Sequence, residues 1–254
     1  MLVGVIGSVL AAMIVGCFRY LWLHWLEVRM MLWCLLHRRT QIRVSVSALA
    51  CFKIDDKYLL TRQVRRTHQL GPIGGAVDVF PSGLHEFQKV GFSPESPVEH
   101  KWGIERTALR GTVEGFGLIR LYRMLDRDYG RESFRECIER ELVEELNIEG
   151  GVGIKHIPRF RHFAYKWKVI EGPKWLKGSN IWQWRLYRIF DYQVDEHCDA
   201  DFIGRLRSEA VPGVKQFALV TEKEIRRGMT SKGMLIGSHA EYLLTKRERR
   251  PEFF

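Results

Sequence analysis

An α+β fold behind an N-terminal membrane-spanning helix is what three observations predict. Met1 to Phe18 carries no charged side chain. One strong amphipathic helix is written much later, at Arg131 to Asn147. The remaining segments mix strand-like and helix-like patterns without the regular alternation that builds parallel α/β sheets.

The N-terminal run would rise roughly 27 Å as a helix, close to the ~30 Å hydrocarbon core of a bilayer. Apolar character continues from Tyr20 to Leu36, interrupted by His24, Glu27 and Arg29 and carrying Trp22, Trp25 and Trp33. Tryptophan favours the membrane–water interface, so one long tilted helix and a span followed by an interfacial helix both fit. No lysine or arginine precedes the run, whereas Arg19, Arg29, Arg38 and Arg39 follow it. That asymmetry places the N-terminus outside and the following domain in the cytoplasm, after a single pass. A cleaved signal peptide and a lipoprotein box at Ile14 to Cys17 both lack the basic leader they would need. Residues 1–39 are therefore expected to be the anchor and 40–254 the domain.

Arg43 to Lys53 alternates and reads as a half-buried strand, Asp55-Asp56 as a turn, and Lys57 to Gln63 as the return strand of a hairpin. The Gly74-Gly75 pair marks a tight turn or a close approach of backbone to another group. Residues 84–130 read as an insertion too short to bury a core of its own, with a helix at Val113 to Leu125. Arg131 to Asn147 places Phe134, Ile138, Leu142 and Leu146 on one stripe. Trp182 to Val194 and Phe217 to Val220 are expected strands. Thr221 is an expected N-cap ahead of an acidic first turn, and Ser238 to Leu244 a last helix.

Composition is that of a globular chain: 46% hydrophobic and 28% charged residues exclude a disordered one. A net charge of +10 suits a phosphate-bearing ligand, a nucleic acid or an anionic membrane. Five cysteines, an odd number without a CxxC pair, argue against a disulfide framework or a zinc site.

The chemistry concentrates at Arg140-Glu141-Leu142-Val143-Glu144-Glu145. On a helix, Glu141, Glu144 and Glu145 stand at i, i+3 and i+4, beside the apolar stripe. Carboxylates that close repel one another. Mg²⁺, a hard cation that takes oxygen ligands along with substrate phosphates, would relieve that repulsion. Arg140 could pair with Glu136 or Glu144. A solvated acidic face is the plain alternative.

With Glu132 eight positions before Arg140 and the glycine pair upstream, this sequence resembles the Nudix family. The family signature is Gly, five residues, Glu, seven residues, then Arg-Glu-apolar-x-Glu-Glu-x-Gly-apolar. Glu132, Arg140, Glu141, Leu142, Glu144, Glu145 and Ile148 match it. Two positions depart. The signature glycine would fall at Asp126, so Gly74-Gly75 stands in for it across the insertion, and Asn147 replaces the last glycine. The resemblance covers Gln41 to Leu244 and implies a Nudix-like α/β/α sandwich with a mixed sheet. It also implies Mg²⁺ on Glu141, Glu144 and Glu145, with Glu144 or Glu141 assisting water if the domain is a hydrolase.

A hydrophobic N-terminal helix on an insertion-bearing Nudix domain further resembles the SMODS-associated Nudix effectors of bacterial cyclic-oligonucleotide antiphage defence (CBASS). That resemblance implies a cyclic di- or oligonucleotide ligand, ligand-induced homo-oligomers, disruption of the inner membrane and no stable nucleic-acid partner. The alternative is a membrane-anchored, Mg²⁺-dependent hydrolase of nucleoside diphosphate-linked compounds. RNA processing is a third possibility suggested by net charge alone. Cations at Arg65, Arg66, Arg159, Arg161, Lys166, Lys168 and Arg185, with Tyr165, Trp167, Trp175, Trp182 and Trp184, offer phosphate and base chemistry. The sequence assigns no individual ligand contacts among them.

Overall fold

The computed structural model of the chain describes residues 24–63, 66–101, 104–127, 129–148, 163–193, 200–209 and 217–244, together with Met13, Val15, Gly16 and Arg19. Helix α1 (Trp25–Leu36) leads into strand β1 (Gln41–Cys51). Strands β2 (Lys53–Ile54) and β3 (Lys57–Gln63) then form a two-residue hairpin through Asp55 and Asp56, both at positive φ. The hairpin is smaller than expected. β1 pairs elsewhere, and the chain changes sheet at the buried Phe52.

Next come β4 (Arg66–Pro72), β5 (Gly74–Ala76), β6 (Asp78–Val79) and α2 (Pro81–Lys89). They are followed by β7 (Ser93–Pro94), β8 (Glu99–Lys101), β9 (Ile104–Ala108), β10 (Arg110–Glu114) and α3 (Gly115–Met124). Helix α4 (Phe134–Val143) continues as a π-helical turn over Glu144–Ile148. The chain ends with β11 (Phe163–Leu176), β12 (Ile181–Tyr192), α5 (Ala200–Glu209), β13 (Phe217–Thr221), α6 (Glu222–Arg227), β14 (Leu235–Ile236) and a 3₁₀ helix at Ser238–Leu243.

The result is a mixed α/β fold with mixed sheets. The first sheet runs β11-β12-β1-β10-β7, with β5 also on β1; β1 and β12 are parallel and the other pairs antiparallel. The second runs β13-β3-β4-β14, and β6-β9-β8 form a small third. Strand alternation divides the core. Ile42, Val44, Val46, Ala48 and Ala50 of β1 face one cluster with α1, α3 and α4. Leu49 and Cys51 face the other with Tyr187, Ile189 and the second sheet. Residues 84–130 are woven into this frame rather than carried outside it, because β10 is hydrogen-bonded along Gln41 to Ser45 of β1.

Helix α1 is also part of the frame. Met30 and Cys34 are buried in the main core, and Trp33 packs against Trp182 with ring centroids 4.7 Å apart. Glu27 accepts hydrogen bonds from Tyr122 Oη (2.8 Å) and Lys168 Nζ. The boundary expected at residue 39 thus falls beyond a helix that the domain packs around. Among the described residues no helix is long and apolar enough to cross a membrane. The expected span, Met1 to Phe18, lies outside the described residues except for Met13, Val15 and Gly16. Cys34, Cys51 and Cys137 are buried free thiols.

Candidate functional site

Helix α4 starts at Phe134, three residues after the expected Arg131, because a capping box fixes its first turn. The Ser133 side chain accepts from the Glu136 backbone N–H, and the Glu136 carboxylate accepts in return from Ser133 N–H. Glu136 is therefore occupied at the cap and does not pair with Arg140. Phe134, Ile138, Leu142 and Leu146 are all buried, as the stripe requires. Burying that face orients the adjacent positions, Arg140, Glu141, Glu144 and Glu145, toward the edge of β5 and β3.

Arg140 is the hub. Its Nε and Nη2 donate to Glu132 at 3.1 and 2.8 Å, its Nη1 to Glu141 Oε1 at 2.7 Å, and Nη2 also to the Ala76 carbonyl at 2.9 Å. Asp78 Oδ2 lies 3.4 Å from Nε, and Glu144 Oε1 lies 3.6 Å from Nη1. Glu132 in turn accepts the Asp78 backbone N–H at 2.7 Å. The ion pair is nearly dry, with side chains 9% and 6% exposed. A guanidinium fork that meets a carboxylate through two donors fixes orientation as well as charge.

The glycine pair explains itself at this point. A Cβ on Gly75 would overlap the Glu141 carboxylate, so only glycine lets that side chain lie against β5. Gly74 sits at φ 143°, and a Cβ there would overlap the Ala48 carbonyl. β5 hydrogen-bonds to β1 through Gly74, Gly75 and Ala76. The two halves of the signature, far apart in sequence, are thereby brought edge to edge.

The last helical turn departs from expectation. An α-helix to Asn147 was predicted; the chain instead widens to a π turn from Glu144. Such turns insert a residue and re-aim side chains, often at functional positions. Here Glu145 turns in toward β3, accepting from Thr61 Oγ1 at 2.5 Å and from the Gly74 backbone. Burial raises its carboxyl to about 8, with the Glu141 and Glu144 charges adding to the effect. Burial also raises Glu141, and Glu144 adds to that, while Arg140 opposes it. Cys137, wholly buried, points its thiol at the Gly75 and Ala76 carbonyls, and burial pushes it well up.

The donor set suits a hard divalent cation: three carboxylates share one neighbourhood, and two are raised by burial and mutual repulsion. Among the described residues no three such groups converge closely enough to hold an ion as they stand. Glu141 is spent on Arg140, and Glu145 on Thr61 and Gly74. Sequence reasoning missed Thr61 and Asp78. Thr61 carried no local signal, being an ordinary strand residue on β3, and Asp78 lay unexamined at the end of the glycine segment. Of the aromatic residues proposed for bases, Trp184 is 0% exposed in the core and Trp182 is packed between Trp33 and Trp175. Lys166 and Lys168 are held by Asp191 and Glu27. Arg65, Arg159 and Arg161 lie outside the described residues.

The SMODS-associated NUDIX domain matches residues 41–244. Among solved structures, a NUDIX hydrolase from Nitrosomonas europaea is similar at 17% identity, covering 79% of this chain and 85% of that chain with a TM-score of 0.26. No curated protein matches.

Proposed function

Since the chain belongs to the SMODS-associated NUDIX family, we propose that it is the membrane-anchored effector of a cyclic-oligonucleotide antiphage system of the CBASS type. Its domain binds a cyclic nucleotide in the cytoplasm. Binding favours an oligomer, and the N-terminal segment then compromises the inner membrane. The observation that supports this most is α1. An anchor that only localises an enzyme can be joined by a slack linker. Here the helix that follows the uncharged segment is built into the core through Met30 and Cys34 and tied by Glu27 to Lys168 and Tyr122. A change in domain packing or assembly therefore reaches the N-terminal segment directly. A ligand shifts such an equilibrium only by its differential affinity for the two states.

The test uses the full chain in detergent. Calorimetry across cyclic di- and trinucleotides should find a binder at micromolar affinity or better, about −8 kcal/mol. Mass measurement should then show a larger assembly with that ligand, and vesicles carrying the protein should leak dye. No micromolar binder in a broad panel would overturn the proposal.

The glutamate helix favours a second reading, a Mg²⁺-dependent diphosphate hydrolase. Glu141, Glu144 and Glu145 would hold the ion, which would supply Lewis-acid charge to a diphosphate. Arg140 and Glu132 would position Glu141, and Glu144, more exposed than Glu141, would assist water. Glu144→Gln should then abolish diphosphate cleavage while leaving melting unchanged.

A further inference from the structure

We propose that the ligand's phosphates are held without metal, on the face of the first sheet opposite the main core, by Arg110, Arg185 and Lys174 with Gln183. The site is separate from the Nudix glutamates. This inference rests on the nucleotide-binding reading above and adds where, and by what chemistry, the nucleotide is held.

Strand register places these residues together. One row across the sheet is Arg110, Ser45, Arg185 and Glu171, on β10, β1, β12 and β11 in turn. The next is Thr112, Arg43, Gln183 and Lys174. Alternation along each strand points them away from the core that Val44, Val113 and Trp184 fill. A sheet face that should carry apolar side chains toward the second sheet becomes cationic here instead. Four cations stand against Glu171 within the two rows and Glu95, which takes Arg43 in a two-pronged pair. Glu114 stands in the row beyond. The cationic side chains stay within reach of solvent: 27% exposed for Arg185, 35% for Lys174 and 31% for Arg43.

The patch is braced on its own face of the sheet. Arg185 Nη1 lies 3.4 Å from Tyr187 Oη, 3.3 Å from His239 Nε2 and 3.8 Å from Glu171 Oε2. Tyr187, His239 and Tyr242 pack ring to ring at centroid distances of 5.1 to 6.0 Å, and Tyr242 donates to Glu171. Packed rings and a shared carboxylate hold the guanidinium in one position, which lowers the entropic cost of using it. Gln183 supplies an independent sign. It is 1% exposed, and its Nε2 has no hydrogen-bond partner among the described residues. A buried amide donor left unpaired costs about 1–3 kcal/mol. An acceptor oxygen arriving between Arg185 and Lys174 would satisfy it.

Inorganic pyrophosphate and cyclic di-AMP are the probes, titrated into the detergent-solubilised full chain in EDTA and, in parallel, in millimolar Mg²⁺. Pyrophosphate should bind. Arg185→Gln and Arg110→Gln should each weaken it about tenfold or more, the loss of one charge-assisted contact. Lys174→Glu, on a partly exposed side chain whose carboxylate contact is long, should weaken it too and serves if an arginine variant fails to fold. Glu144→Gln should change nothing. Pyrophosphate that binds the three sheet variants as well as wild type, that needs Mg²⁺, or that fails to bind at millimolar concentration overturns the proposal. Sheet-dependent pyrophosphate binding without binding of any cyclic nucleotide keeps the site and removes the effector reading. Cyclic-nucleotide binding indifferent to the sheet variants keeps the effector reading and removes the site.

Discussion

Replacing Arg140 by methionine should cost more stability than any other single change in the signature. The side chain keeps its approximate bulk and loses its charge. Glu132, 5% exposed, is then left with the Asp78 N–H as its remaining close donor. The Ala76 carbonyl and Glu141 each lose a partner as well. Removing one member of a buried ion pair costs about 3–5 kcal/mol, because the other charge stays desolvated and uncompensated. For a chain of this size that lowers the melting temperature by roughly 6–20 °C. The assay is thermal unfolding of the full chain in detergent, followed by tryptophan fluorescence, with wild type and variant at one pH. Adding Glu132→Gln to the methionine variant should recover most of the loss, since the amide oxygen still accepts the Asp78 N–H without a buried charge. A single variant within about 1 kcal/mol of wild type, or a double variant no better than the single one, would refute the reasoning.

Three further outcomes follow from the same geometry. Glu145 is raised in the fold from an ordinary 4.5 to about 8, so the stability it contributes is fully present below 4.5 and is lost as pH climbs through 8. Unfolding midpoints measured from pH 5 to 9 in EDTA should fall with pH, and Glu145→Gln should flatten that slope; an unchanged slope counts against a buried Glu145 carboxyl. Millimolar Mg²⁺ at pH 8 should raise the melting temperature, and EDTA should reverse the rise, because an ion that binds ionised carboxylates offsets their repulsion; the effect should vanish in Glu141→Gln. Gly75→Ala should destabilise the domain, since the added methyl takes the space of the Glu141 carboxylate; a variant that melts with wild type would show that Glu141 does not need the strand edge.

Much of the chain could be read locally because its rules are local. The Thr221 cap with its acidic first turn, the α4 stripe, the Asp55-Asp56 turn and strands within a few residues of the expected 43–53, 57–63, 182–194 and 217–220 all follow from residues a few positions apart. The charged signature could be recognised for the same reason: its spacing is that of one helix. Other features rest on contacts between distant residues, and the tertiary structure alone decided them. Arg140 chose Glu132 over Glu136 because Glu136 was taken at the cap and Glu132 was brought close by the Asp78 segment. Gly75 had to be glycine because a carboxylate from a helix some sixty-six positions later lies on it. Glu145 found Thr61 only when a π turn, which no periodicity announces, swung it toward another sheet. Residues 84–130 looked like an insertion until β10 took its place beside β1. The cationic rows could not be seen in a string at all. They exist because strands from four parts of the chain align in register, and register is set by which faces must be buried.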